Sequence, residues 1–273
     1  MGKYVRALVI GGGVILLLLF TFFPFYWMFI TSLKTQAEAI FFPPTLWPKE
    51  ITFEAYRLVF TKLNLGVSVL VTLGMILFIV SGEVITSTLA AYAFSWIDFK
   101  GREILFSFLL VMASIPMPVF ILQLFIVVQK LGMVDTFAGL VVPWMANIYS
   151  IFLLRQAFRS IPRELRDAIY VDGGNDLTFL LKVAVPIIKP VLITVIVFSA
   201  VYTWNSFLWP LLVVSNKNLR PIQLAVAYFS QGEVSNYPAL MAASFLSALP
   251  ALIVFAIFQR QITEVYARGG MKD

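Results

Sequence analysis

Long runs of apolar residues, separated by short polar joints, dominate this chain. A helix needs about 20 mostly apolar residues to cross a bilayer. Six blocks meet that need, at about residues 8–30, 67–94, 104–128, 137–158, 190–214 and 239–258. A membrane β-barrel would instead show segments of about 10 residues with period-two alternation, so that class is excluded. The pattern predicts an all-α membrane protein with six transmembrane helices, read as a single domain over 1–273. Prolines punctuate the blocks at Pro24, Pro116, Pro118, Pro143, Pro210 and Pro250. Each removes a helical hydrogen bond and favours a kink. Such breaks serve either as ordinary helix irregularities or as flexing points of a translocation path.

Composition agrees with a bilayer as solvent. The chain is 60% apolar and 12% charged, with mean hydropathy +0.92. A soluble domain is nearer half apolar and a quarter charged, and one soluble core could not hide the excess. The net charge of +6 would hint at nucleic acid in a soluble protein, but here the basic residues sit between apolar blocks and bear on topology. With the N-terminus inside, thirteen of the 20 basic residues fall on the cytoplasmic side. That bias predicts a multi-pass inner-membrane protein with both termini in the cytoplasm.

Lys3 and Arg6 precede the first block, and Ala37-Glu38-Ala39 resembles a cleavage site. The block exceeds the 7–15 residues of a signal-peptide core, so an uncleaved first span is predicted. The predicted outer segments are 32–66, 129–136 and 215–238, with a short helix near 53–60 and a turn signal at Ser230-Gln231-Gly232-Glu233. The chain has neither Cys nor His, which excludes disulfides, zinc–histidine sites and Ser-His or Cys-His catalytic pairs. Ile10-Gly11-Gly12-Gly13 lacks the Lys and Ser/Thr of a phosphate loop and reads as a packing motif. No catalytic residue, metal ligand or cofactor of the chain's own is predicted.

One carboxylate, Glu83, falls deep inside the second block. An acidic residue at mid-membrane costs about 2.5–3.5 kcal/mol on insertion scales. It should therefore face the bundle interior with a hydrogen-bond partner, as a solute or proton site or as a tie to polar groups of another helix. Trp144, Asn147, Tyr149, Tyr202, Trp204 and Asn205 also fall near bilayer depth. Aromatic faces and amides are what sugar recognition needs. Their alternative role is an interfacial belt with interhelical hydrogen bonds.

The polar joint 159–189 is larger than a membrane connector requires. Ser160, Pro162 and Glu164 suit a helix start, and Gly173-Gly174 a helix stop. Ile161, Leu165, Ala168 and Ile169 share one face, while Arg163, Arg166, Asp167 and Tyr170 share another. Asn175-Asp176 suits a second start, with a short helix as far as Pro186. A helix lying on lipid would carry a broader apolar face and a uniformly basic one. Mixed charges and the absence of Trp and Phe favour docking to another protein.

The run Pro162-x-Glu164-Leu165-x-Asp167-Ala168-Ile169-x-Val171-Asp172-Gly173-Gly174, followed by Val185-Pro186 and Pro190, resembles the EAA loop of ABC importer permeases. Ala90-Ala91-Tyr92-Ala93, Phe99-Lys100-Gly101-Arg102, Leu131-Gly132, Trp204-Asn205-x-Phe207-x-Trp209-Pro210-Leu211, Leu240-Met241-Ala242-Ala243 and Phe258-Gln259-Arg260 extend the resemblance to the carbohydrate branch, the type of the maltose permease pair. Within it the chain is most similar to the second, six-helix permease. The sequence departs from the EAA pattern at three places: Asp167 stands for Glu, Ile169 for the second Ala, and Gly174 for an Ala.

The resemblance implies an import permease for a sugar or oligosaccharide. Pro162, Glu164, Leu165, Asp167, Ala168, Ile169, Asp172, Gly173, Gly174 and Pro186 would couple it to the ATPase. The implied partners are a second permease, two ATP-binding subunits that hold ATP and Mg, an extracytoplasmic solute-binding protein and the lipid bilayer, with no nucleic acid. Two alternatives stay open: an ion-coupled transporter using Glu83, and an ABC permease for a solute such as a glycerol phosphoester.

Overall fold

The computed structural model describes the backbone of residues 2–232 and 236–269, and the side chains of residues 9–231, 236–253 and 256–257. Among the described residues every regular element is a helix. They are α1 (Gly2–Ser32), α2 (Gln36–Ala39), α3 (Glu54–Lys62), α4 (Leu65–Trp96), α5 (Arg102–Ala113), α6 (Met117–Lys130), α7 (Phe137–Val141), α8 (Ile148–Arg159), α9 (Glu164–Val171), α10 (Asp176–Phe179), α11 (Val185–Trp204), α12 (Leu208–Val213), α13 (Ile222–Gly232) and α14 (Tyr237–Gly269). A π turn, Leu180–Ala184, joins α10 to α11.

Four stretches are long and apolar enough to cross a membrane: Val9–Ser32, Leu65–Trp96, Phe137–Arg159 and Asp176–Trp204. The pair α5 and α6 adds a fifth if it counts as one bent span. The block expected at 239–258 falls in α14, where Tyr237–Ile253 is the apolar stretch. The signal expected to turn the chain at Ser230 instead completes α13, and Glu233 lies outside the described residues. The tail 259–273, where the resemblance places Gln259-Arg260, lies outside the described side chains.

The chain folds as two compact units. The first comprises the chain up to Gly66 with Ala225–Leu252. Its α1 is apolar on every side and keeps Leu16, Leu19 and Phe20 more than half exposed, as a helix bathed in lipid does. Ala55, Val59, Ala225, Phe229, Ala239 and Ala243 form its packed centre. The small alanines let backbones approach closely, which is how helices associate in lipid.

The second unit comprises Val67–Leu224 with the chain from Ile253. α4 is its spine, about 48 Å long at 1.5 Å per residue over 32 residues. Ser68, Thr72, Met75, Ile79, Glu83, Ser87 and Ala91 are buried at three- and four-residue spacing along one face. Leu70, Leu73, Leu77 and Leu89 point outward on the other. A second core gathers at the end of α4, where Tyr92, Trp96, Phe106, Leu154, Phe158, Phe179 and Leu180 pack together.

Three expected spans are not single rods. The block at 104–128 breaks between α5 and α6 with a bend of 102°. Pro116 has no N–H and forces the residue before it out of helical geometry, so the helix stops there and restarts with Pro118 in its first turn. The block at 137–158 is interrupted by a 3-10 turn at Val142–Trp144 around Pro143, and Asn147 restarts it by accepting the Tyr149 amide at 2.9 Å. The block at 190–214 begins earlier, at Asp176, and ends earlier, at Trp204.

Pro186 does not end the helix that follows Asn175, contrary to expectation. The Val185 amide reaches back five residues to the Leu180 carbonyl, and the widened π turn carries the chain past the proline. The joint at 159–189 is therefore only half loop. Its second half is already the transmembrane rod.

Candidate functional site

The first site is the helical elbow at α9. Ser160 was expected to cap it but ends α8 instead, its hydroxyl donating to the Ala157 carbonyl at 2.8 Å. Helix α9 starts at Glu164 with no side-chain cap, and Glu164 and Asp167 in its first turn favour the positive end of the dipole. Its end is a Schellman closure. The Gly173 amide donates to Tyr170 at 3.0 Å and the Gly174 amide to Ile169 at 2.8 Å. Gly173 has φ +80°, a conformation that costs a side chain strain. Asn175 then caps α10, accepting from the Thr178 amide at 2.9 Å.

The elbow is braced from below by one arginine. Arg166 was expected on the outer polar face. It turns inward, donating through Nη2 to Asp176 Oδ1 at 2.7 Å and through Nη1 to the Trp96 carbonyl at 3.2 Å. Tyr92 Oη donates to the same Asp176 oxygen at 2.6 Å. Burial works against the Arg166 charge, and hydrogen bonds to Asp176 and Tyr170 more than offset it. Ile161 is buried and Ile169 packs against the core of the second unit, so the expected apolar face is split. Leu165 and Ala168 face out with Pro162, Glu164, Asp167, Asp172 and Gly173, while Gly174 is half-buried. Pro186 is exposed one helix further along. The elbow thus offers an outward surface that mixes apolar, acidic and basic residues, Arg163 among them, on a hydrogen-bonded base.

A second arginine anchors the neighbouring turn. Arg155 is buried, bonds Glu103 at 2.6 Å and the Phe94 carbonyl at 3.2 Å, and lies 3.8 Å over the Phe106 ring. It holds α8 against the start of α5.

The second site is a cavity of about 970 Å³ within the second unit. Glu83, Trp144, Asn147, Tyr149, Tyr202 and Asn205 line it, so six of the seven residues expected along a solute path converge. Trp204 does not line it and is buried at the end of α11. Two helical positions beyond Tyr202 is a turn of about 200°, which sends Trp204 to the opposite side.

Glu83 is buried and tied to two helices. Ser150 Oγ on α8 donates to its Oε1, and Ser199 Oγ on α11 to its Oε2, each at 2.5 Å. Sequence reasoning missed both serines. Ser150 lies three residues after Asn147 and Ser199 three before Tyr202, a spacing that places each pair on one helix face. α4 comes close to the 145 region here because residue 82 is glycine: a Cβ on it would sit 2.6 Å from Met145 Cγ. Thr86 Oγ1 donates to the Met145 carbonyl at 2.7 Å along the same seam.

The two tyrosines hold the bent helix. Tyr149 Oη donates to the Ala113 carbonyl at 2.9 Å, and Tyr202 Oη lies 3.6 Å from Met117 Sδ. The break of α5 leaves carbonyls without intrahelical partners, and Tyr149 satisfies one of them. Trp144 stacks edge-on against Trp209 with centroids 5.8 Å apart. Its indole N–H is buried without a partner among the described residues.

Comparison with known proteins places these features. Residues 83–264 match the family model described as the inner-membrane component of binding-protein-dependent transport systems. The chain belongs to this family, and is therefore a membrane transport subunit and not an enzyme. It is 30% identical over 265 residues to the inner-membrane ABC transporter permease YcjP of Escherichia coli, with 95% of this chain and 94% of that one covered. It is 27% identical to the arabinooligosaccharide-system permease AraQ of Bacillus subtilis, covering 92% and 90%. It is 31% identical to the sn-glycerol-3-phosphate-system permease UgpE of Pectobacterium atrosepticum, covering 87% and 88%. In fold it is similar to a chain of a bacterial ABC transporter that imports alginate, with TM-score 0.82, 24% identity and coverage of 95% and 97%.

Proposed function

We propose that this chain is the six-span permease subunit of an ATP-driven importer that carries a sugar or oligosaccharide into the cytoplasm. In this reading the four long spans, the bent pair α5–α6 and α14 make one transmembrane domain with both termini cytoplasmic. The chain pairs with a second permease, receives solute from an extracytoplasmic binding protein and is driven by two ATP-binding subunits that hold ATP and Mg. It binds no cofactor itself. The substrate class rests on relatives named for arabinooligosaccharides and lactose, and on aromatic and amide side chains around the cavity.

The observation that carries the reading is the elbow. Pro162, Glu164, Leu165, Asp167, Ala168, Asp172 and Gly173 form the outward docking face. Ile169 and Gly174 fix its shape from beneath, and Pro186 lies at the π turn that continues it into α11. α10, the π turn and α11 are one helical rod from Asp176 to Trp204, and the Arg166–Asp176 pair ties α9 to its start across the turn 172–175, so a push on the elbow is carried along that rod to Ser199 and Tyr202 at the cavity. Closure of the ATP-binding subunits would move this rod and change which side the cavity opens to.

Relatives named for sn-glycerol-3-phosphate favour a second reading, in which the solute is a phosphoester. The coupling claim is tested in the purified, reconstituted importer. Gly173→Asp and Asp167→Lys are expected to reduce solute-stimulated ATP hydrolysis at least tenfold while the chain still inserts and co-purifies. Stimulation at the level of the unmodified complex would contradict it.

A further inference from the structure

Residues 40–60 of the first unit carry large apolar side chains that the fold leaves uncovered. Phe42 is 87% exposed, and Phe41, Leu46, Trp47, Phe53 and Phe60 are each more than half exposed. Single exposed apolar residues need no explanation, but a set of them on one fastened segment marks an interaction surface.

The segment is no free loop. It folds back along the last turns of α1. Tyr26 Oη donates to the Leu46 carbonyl at 2.5 Å, and the Thr52 amide donates to the Leu33 carbonyl at 2.9 Å. The Ser32 and Tyr56 hydroxyls share a hydrogen bond at 2.8 Å. These ties set its depth. The span Val9–Ser32 has 24 residues. At 1.5 Å per residue it is about 36 Å long, more than the roughly 30 Å of hydrocarbon it must cross. Tyr26 precedes Ser32 by about 9 Å along the helix. The stretch of α1 that holds the segment therefore crosses the boundary between hydrocarbon and headgroups.

The exposed side chains suit that boundary. α3 turns Ala55 and Val59 to the packed centre of the unit. Phe53, Arg57 and Phe60, at steps of four and three residues, lie exposed on the opposite side. Glu54 falls about 100° round the helix from Phe53, off this face. Lys49 Nζ sits 5.4 Å from the centre of the exposed Phe41 ring, a charged tip on an apolar body. The Glu38 carboxylate accepts the Lys49 amide at 3.0 Å and so fixes where that pair stands. Aromatic rings beside Lys and Arg are the composition of the bilayer surface, where rings meet acyl chains and cations meet phosphate. Phosphate oxygens at this depth match both cations, whereas a covering protein would have to supply carboxylates for them. The lipid-facing surface of α1 runs straight into this segment.

We propose that residues 40–60 form an interfacial anchor, seated in the bilayer surface at the Ser32 end of α1. Phe41, Phe42, Trp47, Phe53 and Phe60 enter the acyl boundary, and Lys49 and Arg57 bind phospholipid phosphates. The anchor holds the packed centre of the first unit at a fixed depth. It rests on α1 being a membrane span, and on neither the solute nor the coupling role.

The chain has no cysteine, so a nitroxide reports from one site at a time. Phe42→Cys, Trp47→Cys and Phe60→Cys, each made alone, are spin-labelled in the assembled importer in vesicles of phosphatidylethanolamine and phosphatidylglycerol. Glu50→Cys is the comparison. Collisions with oxygen, which concentrates in hydrocarbon, and with a water-soluble nickel chelate give each depth by electron paramagnetic resonance. The labels at 42, 47 and 60 are expected to favour oxygen and to lie about 5–10 Å below the headgroup–acyl boundary, while the label at 50 favours nickel. Nickel access at 42 and 60 equal to that at 50 would place the segment in water and overturn the proposal. Low access to both reagents would show a protein covering it, the second permease or a binding protein, and would overturn it equally. Three separate sites leave the answer standing if one variant fails to assemble. Lys49→Glu with Arg57→Glu in the Phe60→Cys chain is expected to raise nickel access at 60 roughly twofold or more. Unchanged access would overturn the assigned phosphate contacts.

Discussion

Gly174 and Ile169 answer one another. Each departs from the alanine of the EAA pattern that the loop resembles, one by losing a methyl group and the other by gaining bulk. A Cβ on Gly174 would lie 2.5 Å from Ile169 Cγ2 and 2.9 Å from the Ile169 carbonyl oxygen. The space that an alanine would need is filled by the isoleucine branch. Gly174→Ala is expected to cost about 1–3 kcal/mol as an overpacked site. Ile169→Ala in the same chain should return part of that loss, the carbonyl contact accounting for the rest. Thermal unfolding of the four variants in detergent measures the coupling, and strictly additive losses would contradict it.

Glu83 shows what residue-level reading reaches and where it stops. Its position alone demanded an interior partner, because a carboxylate facing lipid is too costly. Which partner depended on the rotation of α8 and α11, and single serines in apolar helices carry no signal that distinguishes a partner from a packing residue. Trp204 failed for the same reason in reverse. Its chemistry suits a sugar, but the 100° step per residue sends it away from Tyr202.

At the scale of elements, breaks and joins were harder to read than spans. Pro116 and Pro118 announced a defect within the block at 104–128, and its size of 102° came from two prolines flanking one residue. Pro186 announced a stop that did not occur. A π turn keeps the apolar pattern nearly intact, so hydropathy alone cannot reveal it. The brace under the elbow was also hidden, since Arg166 looks solvent-facing on a helical wheel and finds Asp176 ten residues later. Arg166→Ala should release α9. Hydrogen exchange across residues 164–176 is expected to speed up at least tenfold while the α4 amides keep their protection. Equal protection in the variant would show that the arginine does not hold the elbow.

The segment that follows α1 carries its own fastening. Glu38 accepts the Thr45 hydroxyl at 2.6 Å and the Lys49 amide at 3.0 Å, and Lys34 Nζ donates to the Thr45 carbonyl. Burial pushes the Glu38 carboxyl up, but those two hydrogen bonds and the Lys34 charge outweigh it, so its value falls below the ordinary 4.5. A depressed acid stabilises the fold above its unfolded value and loses that contribution as pH falls through the folded one. Proteolytic nicking within residues 33–53 should therefore rise below about pH 4.5 and be flat between pH 6 and 8. Glu38→Gln should be nicked readily at every pH. A segment equally resistant at pH 4 and pH 7 would contradict the clasp.

Over the whole molecule, membrane class and helical architecture were legible because they follow from summed hydropathy, which no single misplaced boundary changes. The elbow was legible because its Gly173-Gly174 stop and mixed charges have no use in a bare connector, while its expected start at Ser160 was misread and ends α8. The cavity was half legible: the aromatic and amide residues stood out, while the serines and the bend that complete it depend on tertiary packing. The coupling role is tested most directly by proximity. Ala168 is exposed on the elbow, and the chain has no cysteine of its own. Ala168→Cys carrying a short thiol-anchored photocrosslinker, in the assembled importer in membranes, should attach to an ATP-binding subunit, and its yield should change when ATP is added. Attachment to lipid alone, with or without ATP, would contradict the account.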